Sequence, residues 1–173
     1  MQSIPILKIL MNKRMLMRVD IWSDVVCPFC YIGKKRLEKA ATEAGVELEV
    51  HWHSYQLDPE APVRQEVSNS ERLAQKYGRT LAEVEEMQRN IAAMAKEEGI
   101  DFNWEGANSG NTFNAHRLIH LAQSKGLGSE AKEAFFFSYM TQGLPIGERE
   151  TLEDVASRIG LNPVEVDDLL NSD

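Results

Sequence analysis

The stretch DIWSDVVCPFCYIGKKRLEKA, Asp20 to Ala40, contains Cys27 and Cys30, the only cysteines of the chain. It changes period in its middle. Before it, from Leu16 to Ser23, Val19 and Ile21 alternate with Asp20 and Trp22, and the apolar run continues through Val25 and Val26, which predicts a strand. From Pro28 onward Ile32, Leu37, Ala40 and Ala41 fall near one helical face, with Lys34, Lys35, Arg36, Glu38 and Lys39 largely on the other. Gly45 suits the helix stop, and residues Val46 to Leu57 alternate again as a second strand. Strand, helix and strand with short connections predict a parallel βαβ unit.

The cysteines fall at the switch. Cys27 is at or beside the helix N-cap, and Pro28 holds the first helical position, where a missing N–H costs nothing. Cys30 lies in the first turn. A thiolate at Cys27 faces free backbone N–H groups and the positive helix end, a setting that lowers a thiol pKa. The two-residue spacer lets Cys30 close a small disulfide, so the pair has a dithiol and a disulfide state that exchange through a mixed disulfide. The other use of C-x-x-C is half of a zinc site, for which His51 and His53 share a strand face; H-x-H is not the usual partner spacing. His116 and His120 stand four apart in HRLIH without the glutamate of a metalloprotease helix and read as an ordinary helix face.

Beyond the βαβ unit, Asp58 to Glu71 reads as a loop with Pro59 and Pro62. The rest reads as helices over Arg72–Tyr77, Leu81–Glu98, Thr112–Lys125, Glu130–Gln142, Leu152–Ile159 and Pro163–Leu170, with Thr80 and Glu83 forming a capping box. The 173 residues carry a net charge of −8, which argues against nucleic acid and anionic membrane surfaces as partners. No run approaches the roughly 18 apolar residues of a membrane span. The apolar stretch Ile4–Met11 is short, carries Pro5 and Lys8, and reads as non-secretory, which places the protein in the cytoplasm. There a close cysteine pair is redox-active or metal-binding rather than structural.

Four motifs in order, DVVCPFCYIG, WHSYQLDP, NTFNAHRLIHLA and LEDVASRIGL, resemble the FrnE-like branch of the DsbA family, thiol–disulfide oxidoreductases with a thioredoxin fold interrupted by a helical insertion. The resemblance implies an α/β thioredoxin-like fold, Cys27 as exposed nucleophile and Cys30 as resolving thiol. It also implies a signature, and a place in a substrate groove, for Asn111, Thr112, His116 and Arg117. On that basis residues 1–15 are expected as a disordered extension, 16–60 as the βαβ half and 61–173 as the helical insertion. Two departures stand out. Phe29 occupies the place of the histidine in the C-P-H-C of the DsbA archetype, and nothing after Pro163 reads as the hairpin and final helix of the family. The chain is therefore expected to be an incomplete fold that self-associates through an open sheet edge.

The expected activity is dithiol–disulfide exchange or isomerisation on protein or low-molecular-weight thiols and disulfides, with no metal or organic cofactor. Kappa-type glutathione transferases and 2-hydroxychromene-2-carboxylate isomerases share the architecture and form the alternative, although their one-thiol chemistry has no use for Cys30. A binding module with a vestigial fold is the non-enzymatic alternative.

Overall fold

The computed structural model describes residues 15–172. Strands β1 (Met15–Ser23) and β2 (Val46–Ser54) pair in parallel, in register from Met15 opposite Val46 to Ser23 opposite Ser54, and helix α1 (Pro28–Ala44) connects them. The parallel βαβ unit is as expected. Met15 already belongs to β1; the extension foreseen for 1–15 otherwise lies outside the described residues. The second strand ends at Ser54 and not at Leu57, because the Leu57 N–H donates to the Asp24 carboxylate at 2.8 Å and leaves the ladder direction.

Six helices follow: α2 (Asn69–Tyr77), α3 (Leu81–Glu97), α4 (Phe113–Ser124), α5 (Gly128–Met140), α6 (Arg149–Arg158) and α7 (Pro163–Asn171). The expected capping box at Thr80 and Glu83 is present. A second one, Ser68 with Glu71, starts α2 at Asn69, three residues before the expected Arg72. Its two reciprocal bonds satisfy end donors that a loop would leave to water.

The core lies where α4 and α5 pack together. Ala115, Leu118, Ile119 and Ala122 of α4 meet Ala131, Phe135 and Phe136 of α5, and Val25, Tyr31, Ile32 and Trp52 of the βαβ unit belong to the same cluster. Helix α5 is buried nearly all round, so it has no clean amphipathic stripe. Phe135 is fully buried, and Phe135→Ala would cost about 3–5 kcal/mol. Tyr31 stacks on Phe136 and donates to Glu133 at 2.6 Å, and Lys34 and Lys35 pair with the same carboxylate, which ties α1 to α5. Only part of the sheet is covered. Trp52 of β2 is 3% exposed, whereas Leu16 and Trp22 of β1 are 60% and 62% exposed.

Two glycines set the position of the 58–67 loop. A Cβ on Gly110 would lie 2.1 Å from the Val63 carbonyl oxygen, and one on Gly147 would lie 2.2 Å from it. The loop can approach this closely only because neither position carries a side chain.

Candidate active site

Cys27 is the N-cap residue of α1, in extended backbone (φ −94°, ψ 109°), and its carbonyl accepts from Cys30 N–H at 3.1 Å. Pro28 follows at the first helical position. Both cysteines are free and partly buried, and their side chains are close enough to perturb each other's titration. Cys30 packs against the core, and Cys27 forms part of a cavity wall.

The thiols polarise one another. The Cys27 S–H pulls the Cys30 thiol down to about 6, against its burial; the Ser23 hydroxyl, the Asp24 backbone N–H and the Lys132 ammonium add to the effect. The same interaction, with burial and the Cys30 charge, pushes Cys27 up, although the Cys30 and Phe29 backbone N–H groups favour its thiolate. The sequence-based expectation put the lower pKa on Cys27, from the helix N-terminus alone. In the fold the N-terminal donors compete with groups that only tertiary structure brings to Cys30. The two protons belong to the pair, and the first leaves below the ordinary thiol range. Ser23 Oγ is buried without a hydrogen-bond partner in this geometry and is poised to donate to a Cys30 thiolate.

A buried charge cluster stands behind the pair. Asp24, 1% exposed, accepts from Leu57 N–H and faces His116 Nε2 at 3.2 Å. Burial alone would raise its carboxyl, but hydrogen bonds from His116, Leu57 N–H and Thr112 hold it below the usual range. Lys132 of α5 is 1% exposed, donates to the Ser23 carbonyl at 3.1 Å and lies over the Trp52 and Phe136 rings. Burial lowers its ammonium pKa to about 8, and the charges of Asp24, Cys30 and Cys27 limit the fall.

A cavity of about 320 Å³ opens ahead of Cys27, with a mostly apolar lining that includes Leu73, Met87, Ile91 and Phe102. Phe29 is 56% exposed and borders both this cavity and a shallower depression beside Arg79 and Glu83. Asn69 anchors a polar wall: it accepts from Arg72 Nη2 at 3.0 Å and Ser109 Oγ at 3.4 Å and donates to Gln88 at 3.3 Å.

The residues of the NTFNAHR motif divide. Asn111 does not face the thiols; its side chain donates to the Pro59 and Ala61 carbonyls at 2.9 and 3.0 Å and clamps the loop that walls the cavity. Thr112 is buried, lines the cavity and helps to hold the Asp24 carboxyl below its usual range. His116 is no ordinary helix face but a buried partner of Asp24. Arg117 points elsewhere, to Asn114 and Ser172 and over the Phe113 ring. His51 and His53, the zinc candidates, bond Glu49 and Asp20, and His53 stacks on Trp22. Among the described residues no group of three or more His, Cys, Asp or Glu could hold a metal ion, and no helix is long and apolar enough to cross a membrane.

Sequence reasoning missed Asp24, Lys132 and Arg72. Lys132 left a trace, standing three and four residues before Phe135 and Phe136 on what is otherwise an apolar face. Asp24 left a weaker one, a carboxylate directly before the apolar Val25 and Val26.

With this geometry in view, the similarity to known proteins is informative. Residues 18–173 match the DSBA-like thioredoxin domain, and the chain belongs to that family. A probable DsbA oxidoreductase, SCO1869 from Streptomyces coelicolor, superposes with a TM-score of 0.83 at 33% identity, over 90% of this chain and 68% of that one. The cytosolic disulfide reductase DsbM from Pseudomonas aeruginosa shares the fold (TM-score 0.57, 17% identity, 88% of this chain and 69% of that one). So does a 2-hydroxychromene-2-carboxylate isomerase (TM-score 0.60, 16% identity, 91% and 72%). The uncharacterized protein YwbO of Bacillus subtilis (strain 168) is 26% identical over 149 residues, 86% of this chain and 68% of its own length. The fold is the thioredoxin-like α/β fold expected from the sequence, dominated by helices and with a small sheet.

Proposed function

We propose that the protein is a thiol–disulfide oxidoreductase or isomerase in which Cys27 attacks and Cys30 resolves. One observation carries this reading: two free thiols stand side by side at a helix start, with one in a cavity wall and the other against the core. In the reductive direction the shared proton crosses to Cys30, and the Cys27 thiolate attacks a substrate disulfide and expels one substrate thiolate. The Cys30 sulfur, losing its proton, then attacks the Cys27 sulfur of the mixed disulfide, frees the second substrate thiolate and closes the Cys27–Cys30 disulfide. Two electrons pass from the pair to the substrate, and an external dithiol, or two equivalents of a monothiol, restores the pair. Lys132 and the Ser23 hydroxyl support the thiolate; Asp24, facing His116 and Thr112, holds the strand end from which Cys27 projects.

Residues of the cysteine pair alone suffice for this exchange. The proposed setting is cytoplasmic and the proposed substrates are protein or low-molecular-weight disulfides. A glutathione transferase or isomerase reaction at one thiol leaves the neighbouring Cys30 without a role. The test is insulin reduction with dithiothreitol beside conjugation of glutathione to an electrophile. Turnover in the first that is lost in Cys27→Ser supports the reading; conjugation that survives Cys30→Ser, with no insulin reduction, overturns it.

A further inference from the structure

The cavity beside Cys27 has a size and a lining that the exchange chemistry alone does not require. At about 320 Å³ it falls in the range of small-molecule pockets rather than of a peptide groove. Its walls come mainly from α2, α3 and the clamped 58–67 loop; most of the exposed lining is apolar, with Leu73, Met87, Ile91 and Phe102, while Asp24, Asp58, Arg72 and Lys76 bring charge to it. One of these charged groups stands apart. Arg72 lines the cavity, its side chain is 19% exposed, and its Nε is buried with no hydrogen-bond partner.

The rest of the guanidinium is partly engaged. Nη2 donates to Asn69 Oδ1 at 3.0 Å, and Nη1 makes a long ion pair, 3.6 Å, with the Asp58 carboxylate. Among the described residues three buried side-chain polar atoms lack a partner, and Arg72 Nε is the one whose residue lines this cavity. A buried N–H without an acceptor is costly, so an acceptor that reached Arg72 Nε would relieve that cost. The planar guanidinium fork fits a carboxylate better than any other common acceptor.

We propose that the cavity binds the non-reacting body of a low-molecular-weight disulfide, apolar in its bulk and bearing a carboxylate that Arg72 receives, with the disulfide presented to Cys27. This rests on the redox reading of the cysteine pair and names its substrate class. The reaction is R–S–S–R plus the Cys27–Cys30 dithiol giving two R–SH and the enzyme disulfide, which a dithiol reductant reopens. Part of the substrate's binding energy then comes from burying its apolar body, and Arg72 sets its orientation at the sulfur.

The experiment uses the full chain with its cysteines reduced and two aromatic disulfides. Dithiobis-nitrobenzoate carries carboxylates, and dithiodipyridine has no charge. Rates of thiol release are followed against concentration for the wild type, Arg72→Met, Arg72→Lys and Leu73→Trp, with thermal melts to confirm folding and insulin reduction as a parallel readout. The wild type is expected to saturate with both probes. In Arg72→Met the half-saturating concentration for the carboxylated probe, taken relative to the uncharged one, should rise about tenfold or more. Arg72→Lys, which keeps the charge but loses the fork, should recover only part of that ratio, and Leu73→Trp should weaken both probes together. A wild type that reduces insulin yet reacts with both probes without saturation overturns the cavity proposal alone. So does an unchanged ratio in a folded Arg72→Met. A wild type inert to insulin and both probes overturns the redox reading itself.

Discussion

The two sides of the cysteine pair are built on opposite plans. Behind Cys30 the protein has buried charge and given most of it a partner: Asp24 has Leu57 N–H and His116, and Lys132 has the Ser23 carbonyl and two aromatic faces. Ahead of Cys27 it has left space, apolar walls and one guanidinium N–H without an acceptor. The closed side fixes how easily the pair gives up a proton; the open side decides what meets the sulfur. The closed side is carried chiefly by β1, α4 and α5 and the open side chiefly by α2, α3 and the 58–67 loop, with Asp24 and Thr112 touching both.

The largest effect that can break this division belongs to the pair itself. Cys27→Ser should abolish disulfide exchange, while Cys30→Ser should accumulate mixed disulfides visible by mass spectrometry. Equal behaviour of the two variants would show that the cavity-facing and core-facing sulfurs are not distinct. Next comes the closed side. Asp24→Ala removes the acceptor of Leu57 N–H and leaves His116 and Thr112 without their carboxylate, so a urea melt should show a loss of about 3–5 kcal/mol. A loss under about 1 kcal/mol would mean that the cluster is not what holds the strand end.

Lys132→Met tests the electrostatics of the same side. An ammonium whose pKa falls from 10.5 to about 8 on folding is penalised in the native state wherever it stays charged. Below about 8 the penalty is complete; between about 8 and 10.5 the unfolded lysine holds its proton while the folded one does not, so wild-type stability should rise with pH relative to the variant. The gain should reach about 3 kcal/mol, read from melts of both proteins across that window. The variant should also shift the equilibrium with a glutathione redox buffer toward the disulfide, since a cation that favours the thiolate favours the reduced pair. A matching curve for both proteins would remove Lys132 from the account.

A smaller effect concerns how the thiols titrate. Iodoacetamide labelling of the reduced protein should follow the first proton lost by the pair, below the ordinary thiol value, with the label on Cys27 because it faces the cavity. Labelling first on Cys30 would reverse the assigned roles. The smallest effect is expected on the open side, where Phe29→His adds an imidazole near the sulfur and should move the glutathione equilibrium a few-fold toward a more oxidising protein. No movement would leave Phe29 as a wall of the cavity only.

What could be read from the sequence follows the range of the interactions. Cys27, Pro28 and Phe29 were legible because N-cap, first helical position and exposed turn are consecutive in the chain. The parallel strands were legible from alternation, although Leu57 was carried into the strand because nothing local announces that Asp24 takes its N–H. The start of α2 was hidden in a polar stretch, VSNSE, whose capping box reads equally as loop. Lys132 and Arg72 gained their chemical meaning from burial, and burial depends on helices that meet only in the fold. Asn111, expected in a substrate groove, instead holds the Pro59 and Ala61 carbonyls of the 58–67 loop, and nothing in the motif itself announces that contact.

The Asp24 junction has a consequence for the life of a newly made chain. His116 lies 92 residues after Asp24, and Lys132 lies 109 residues after the Ser23 carbonyl it binds. At about 5–20 residues per second, a ribosome exposes the cysteine stretch for roughly 5–20 seconds before the groups that complete its environment exist. During that interval Cys27 and Cys30 are thiols of nearly ordinary acidity on an unfinished chain. The shifted acidity of the pair is therefore acquired only when α4 and α5 close over the strand ends.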